Sequence, residues 1–325
     1  QSGAEVLRLW VAMVDYQEEV RLGPHILARI IEAYRKIRNT LRILVANLYD
    51  FDPATDGLEL DRLSEVDRYA VARYGEVAAR VLRAYDRYEF QTVVHTLNNY
   101  LTVDLSAFYV DISKDRLYTF APGADARRSA QTAIHTIVDG LTRLVAPILP
   151  ITADELWRNL PGADAESVHL ADFPSGIDAL VDHELIARWT RLLSLRDAVN
   201  GELEKLRQNK VVGTSLEATV ALTVDGELAQ LLERYRDDLA MLFITSEVTL
   251  AAGPPAGDAA DGTVYSEPAG TARIAARRVE AAKCPRCWRW VRPAAAAVNE
   301  PEADTDAEVC NRCRDALSES VSTLV

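Results

Sequence analysis

Over the first two hundred positions, apolar residues recur at spacings of three and four, the period of an α-helix with one buried face. Ile26, Ile30, Tyr34, Ile37, Leu41, Leu44 and Leu48 form one such stripe. Pro24 stands near its start, where a missing N–H costs nothing. Asp50-Phe51-Asp52-Pro53 closes it, because the residue before a proline is driven out of helical space. Further helices are expected over residues 60–87, 89–110 and 124–146. Thr152-Ala153-Asp154-Glu155 reads as a capping box opening a short helix that Pro161-Gly162 stops. A last long pattern covers about 179–209. Long amphipathic helices with short connections imply an antiparallel bundle, so the fold class is mainly α.

The texture changes after Lys210. Ser215–Val224 alternates and is rich in β-branched residues, which predicts a strand. Asp225-Gly226 then caps a helix to about Arg236, and Leu242–Leu250 reads as a second strand, giving a small α+β unit. Residues 253–262, rich in glycine, proline and alanine, read as a linker or loop.

All four cysteines fall near the end, as Cys284-Pro-Arg-Cys287 and Cys310-Asn-Arg-Cys313. Each pair can fold into a tight knuckle with both sulfurs on one side, and two knuckles make a tetrahedral four-sulfur site for one Zn2+. Disulfides would suit an oxidising compartment, and no export signal is read at Gln1. A thioredoxin-like redox pair needs one such motif opening a helix in a βαβ setting. Four thiolates leave no position for an activated water, so the expected role is structural. A short segment with few large apolar side chains cannot fold on burial alone, and metal binding worth on the order of 10–16 kcal/mol supplies what it lacks.

The chain carries 36 Lys and Arg against 49 Asp and Glu, a net charge of −13. That balance weighs against a surface that binds nucleic acid everywhere. The charge is uneven, however. Arg29, Arg35, Lys36, Arg38 and Arg42 face one acid, Glu32, within residues 25–48. Lys283, Arg286, Arg289 and Arg292 interleave with Trp288 and Trp290, and an acidic stretch follows to Glu308. Such a strip can neutralise phosphates and stack on unpaired bases. The same tryptophans could instead close the small module's core; one is expected buried and one available. No run of 18 apolar residues argues for a membrane span. His95 and His135 sit at helical positions and read as polar or core residues, and no grouping specifies a catalytic centre.

These residues resemble a known family. Gly3–Leu22 followed by Tyr34–Leu41 is similar to the segment after the KMSKS loop of bacterial isoleucyl-tRNA synthetases. Asp104–Tyr118 (DLSAFYVDISKDRLY) resembles the same family most specifically. Leu144–Trp157 resembles the synthetases for isoleucine, valine and leucine together, while Val199–Val220 and the cysteine pairs again point to isoleucine. The resemblance implies a C-terminal part of the enzyme: a helical anticodon-binding bundle over 1–178, a long helix and α+β junction over 179–262, and a zinc module over 263–325. The HIGH and KMSKS signatures are missing, so the chain is expected to be inactive alone. ATP and Mg2+ would belong to the absent catalytic domain.

The partner implied is the anticodon stem-loop of isoleucine tRNA, whose unpaired bases can be splayed and stacked. The family's anticodon-contacting arginine falls at Arg21, within Glu19-Val-Arg-Leu-Gly-Pro-His25, where its neighbours differ from the family's D-V-R-I-S pattern. Trp288 falls at the family's stacking position, and Arg289 and Trp290 continue the strip. Arg35, Lys36 and Arg38 are open to phosphate or to partner acids. A cytoplasmic monomer is expected, joined to catalytic and editing domains. The alternative is a helical, zinc-containing scaffold that binds a protein partner.

Overall fold

The opening stripes become α1 (Ala4–Met13) and α2 (Pro24–Ala46). The first buries Val6, Leu9 and Ala12; the second buries Ile30, Ile37, Leu41, Leu44 and Val45 on the face the spacing predicts. Pro24 sits in the first turn of α2. The helix stops at Ala46, short of Asp50, with the Asn47 amide donating to Ile43 O at 2.7 Å. The computed structural model describes residues 3–16, 22–254, 262–291 and 309–322. The chain divides into two compact units, residues 1–186 and 187–325.

In the first unit, α3 (Glu65–Asp86) and α4 (Phe90–Asn99) follow. The chain then continues in wider π-type turns through Tyr100–Tyr109 into α5 (Val110–Thr119). Next come α6 (Asp125–Val145) and α7 (Pro150–Trp157). Close packing of α3 on α6 needs Gly140, where an added Cβ would lie 1.6 Å from the Tyr74 hydroxyl. The capping-box reading of Thr152 is corrected here. The helix begins two residues earlier, at Pro150, and Thr152 lies inside its first turn. Its orphan N–H groups are satisfied by a distant carboxylate: Glu5 accepts from Ile151 N at 2.8 Å and Thr152 N at 2.9 Å.

The family-like segment Asp104–Tyr118 holds the bundle together from inside. Arg116 donates to both oxygens of the fully buried Asp67, at 2.7 and 2.8 Å. Ser129, Ser64 and the Tyr109 hydroxyl donate to the same carboxylate, and Arg116 also reaches Ser113. Burial alone would raise the Asp67 carboxyl; Arg116, Ser129 and Ser64 outweigh it and hold it below its usual range.

In the second unit, the helix α8 (His183–Gln208), which starts just before its boundary, buries Trp189, Leu192, Leu195, Val199 and Leu203. A four-stranded sheet follows, with β1 (Ala218–Val224), β2 (Glu247–Ala252), β3 (Thr263–Glu267) and β4 (Gly270–Arg278) in the order β2-β1-β4-β3. β1 runs parallel to β2 and antiparallel to β4. The crossover between β1 and β2 holds α9 (Gly226–Arg234) and the single turn α10 (Leu239–Leu242). Asp225 stands at the amino end of α9, but its carboxylate accepts from Thr271 N at 2.7 Å instead of capping the helix. Gly226 at φ 64 passes so close to Ala269 O that a Cβ would come within 2.6 Å. The β3–β4 hairpin was not foreseen in the sequence, which carried residues 263–278 into the cysteine module. Most of the expected 253–262 linker lies outside the described residues. No helix among the described residues is long and apolar enough to cross a membrane.

Candidate metal centre and nucleic-acid interface

A two-stranded ribbon of β5 (Ala282–Lys283) and β6 (Trp290–Val291) brackets the first cysteine pair, and α11 (Asn311–Ser322) carries Cys313 in its first turn. Between the ribbon strands the backbone closes on itself. Trp288 N donates to Cys284 O at 3.0 Å, and Cys284 N donates to Arg289 O at 2.9 Å. Trp288 takes a left-handed φ of 63, which this tight knuckle requires and an ordinary side chain resists.

The four sulfurs all lie within 4.8 Å of one another. Cys287 and Cys310 are 3.7 Å apart at sulfur. A tetrahedron of Zn–S bonds near 2.3 Å would place sulfurs about 3.8 Å apart, so the geometry fits a metal ion of that size. Cys284, Cys287 and Cys313 are buried, and the Cys310 N–H points at the Cys284 sulfur at 3.4 Å. Burial raises the Cys284 thiol, yet N–H groups of Cys287, Cys310 and Arg286 outweigh it and bring it down to about 6. Burial pushes Cys287 up to about 12, reinforced by the neighbouring sulfurs, and Cys313 is also raised by burial. Four ionised sulfurs this close repel one another in a half-dry site; a divalent cation removes that conflict. The cluster could hold a metal ion, and it is the one such group of three or more His, Cys, Asp or Glu side chains among the described residues.

The other predicted site residues fall into two places. Trp288 is 61% exposed, with the Lys283 ammonium 5.5 Å from its ring centroid. Arg289 is half-buried. Trp290 is half-buried as well, neither core nor free: its backbone N–H donates to Ser246 Oγ at 2.7 Å, and the Arg278 guanidinium lies 5.9 Å from its ring centroid. Of the two indoles, Trp288 is therefore the one presented to solvent. In the first unit, Arg35 and Lys36 are exposed on α2 and have no ion-pair partner among the described residues. Arg38 differs, being engaged by Glu155 at 2.5 Å, a hydrogen bond that raises its pKa. Arg21 lies outside the described residues. Arg29 and Arg42 share the exposed face of α2 and belong with Arg35 and Lys36 as candidate contacts. Their signal was the seven-residue spacing 29–36 and 35–42, two turns of helix. His135 Nε2–H donates to Pro161 O, 2.8 Å away, and the ring packs on Phe51.

Helical bundle, α+β unit and cysteine knuckles define the class: residues 67–222 match the anticodon-binding domain of tRNA ligase. Among curated relatives, the isoleucine–tRNA ligase of Symbiobacterium thermophilum is 45% identical over 96% of this chain and 33% of its own length. Those of Moorella thermoacetica (43%, over 98% and 34%) and Syntrophotalea carbinolica (42%, over 96% and 32%) are similar. The chain belongs to the isoleucine–tRNA ligase family and spans about a third of the length of the curated relatives it matches. A solved LeuRS-tRNA-LeuAMS complex from Agrobacterium radiobacter K84 aligns over 69% of this chain and 22% of its own at TM-score 0.40 and 14% identity, too loosely to argue from.

Proposed function

We propose that this chain is the tRNA-binding portion of an isoleucine–tRNA ligase, holding the anticodon stem-loop of isoleucine tRNA. Activation of the amino acid with ATP and Mg2+ belongs to a catalytic domain outside these residues. The observation that carries the reading is the 45% identity across 96% of the chain to a curated isoleucine–tRNA ligase. The family match also favours it over a protein-binding scaffold.

In this reading the cysteine cluster holds one structural zinc ion, which fixes the knuckle that presents Trp288. Its indole stacks on an unpaired base, while Arg35 and Lys36, with Arg21 near the start of α2, serve phosphates or the loop. Bundle, junction and zinc module divide at about 178 and 262, and the protein works as a cytoplasmic monomer.

Titration with isoleucine tRNA and with the same tRNA carrying a swapped anticodon tests this. A loss of affinity on the swap is expected. Equal, weak binding to both would place anticodon reading elsewhere.

A further inference from the structure

The α3–α4 groove has a volume of about 600 Å3 and is walled by residues to which the reading above gives no role. On α3 and at its C-cap, Arg80, Arg83 and Arg87 recur at three and four, so they share one face; Arg80 lines the groove and the other two continue from it along the rim. All three are exposed, and none has an ion-pair or hydrogen-bond partner for its side chain among the described residues. Across from Arg80, α4 presents Gln91, His95 and Asn99 at one-turn spacing, exposed and with side chains likewise unpartnered among the described residues. The groove's inner charges are already matched, because Arg73 is held by Glu76 and Asp104. Two exposed acids, Asp86 and Glu89, stand against the three arginines, so this rim is positive in a chain whose net charge is −13.

The turn that joins the two walls carries a second, independent feature. Glu89 N donates to Ala84 O at 2.8 Å and Tyr88 N to Tyr85 O at 3.0 Å, which places Tyr88 in the left-handed position that ends α3. Its φ is 58, a conformation that favours glycine. The ring is 69% exposed, so burial does not offset that cost. Phe90 meets it edge-on at 6.2 Å, and Tyr85 with Phe173, stacked at 5.4 Å, backs Phe90. An aromatic ring held out at a helix end, next to unpaired arginines, has the composition of a stacking site for a nucleotide.

We propose that this groove is a second RNA contact on the tRNA, separate from the anticodon-reading residues: Arg80, Arg83 and Arg87 take phosphates, and Tyr88 stacks on a base. The proposal rests on the tRNA-binding reading above. Two variants of the full chain test it, Tyr88→Gly and the triple R80A/R83A/R87A, titrated with isoleucine tRNA and its anticodon-swapped form over a salt series. Tyr88→Gly removes the ring while relieving the left-handed backbone, so it should melt no lower than the parent yet bind about fivefold or more weakly. The triple variant should lower the slope of log affinity against log salt by about 2 to 3. Both losses should be equal for the two tRNAs. If the parent discriminates between the tRNAs and both variants bind as it does, the groove proposal falls and the tRNA reading stands. If the parent binds neither tRNA, the reading fails and the groove proposal goes with it.

Discussion

Glu5 receives the Thr152 hydroxyl at 2.5 Å and the Thr152 N–H at 2.9 Å, so a carboxylate near the start of the chain closes a helix that begins at Pro150. The Tyr34 hydroxyl donates to Glu5 Oε2, the oxygen that also takes the Thr152 hydroxyl. One buried acid thus ties α1, α2 and α7 together through donors that would otherwise go unpaired. Replacing Glu5 with Ala should destabilise the first unit by about 2 kcal/mol, a cap plus unsatisfied donors. Urea unfolding checks this; Glu5→Gln, which keeps one acceptor, should recover part of the loss.

The Asp67–Arg116 pair predicts a pH dependence with a definite sign. Because the folded-state carboxyl is held below its usual value, its stabilisation is present above the unfolded pKa of about 3.9 and is lost as pH falls through the folded value. Asp67→Asn strands a buried guanidinium and should cost about 3–5 kcal/mol at neutral pH. Between about pH 5 and pH 2 the variant should then lose less further stability than the parent. Melting both proteins across that range gives the comparison.

Tyr74 and Gly140 make a second packing test. The Tyr74 hydroxyl is buried with no hydrogen-bond partner among the described residues, so Tyr74→Phe should be neutral or stabilising by up to about 1–3 kcal/mol. Gly140→Ala drives a methyl into that ring and should cost at least about 1–3 kcal/mol. Thermal melts of the two variants should therefore move in opposite directions.

Zinc should be found at one equivalent per chain, and Cys310→Ser should lower its affinity sharply. A chelator is expected to unfold the knuckle region while leaving the first unit's transition in place, since the binding free energy is local folding energy. Metal analysis alongside two-probe melting checks this, and a single shared transition would contradict it.

On α2, R35A/K36A should reduce the salt slope of tRNA binding by about two, the release expected for two phosphate contacts. Arg38→Ala should leave that slope nearly unchanged, because Glu155 already takes its charge.

What the sequence made legible was whatever depends on near neighbours. The stripe from Ile30 to Leu48 and the paired cysteines are local patterns, and both reappear in space. Thr152 and Asp225 misled for the opposite reason. Each stands where a helix cap belongs, but the bonds that decide its role come from Glu5 and Thr271, far along the chain. The β3–β4 hairpin was hidden because β3 is only five residues long and β4 mixes small residues with arginines, so no strong alternation marks them. In the candidate interface, the free basic face of α2 could be read from spacing, whereas the capture of Arg38 by Glu155 could not.

The strand order has a consequence for how the second unit is made. A ribosome delivers β1 before either of the strands that flank it, so the middle of the sheet waits as an unpaired apolar segment. Its first available partner is β2, and that parallel pairing requires the intervening crossover to close beforehand. The antiparallel seam with β4 becomes possible only after the hairpin has emerged. During translation, residues 218–224 are therefore the stretch in this sheet most exposed to mispairing and to chaperone capture.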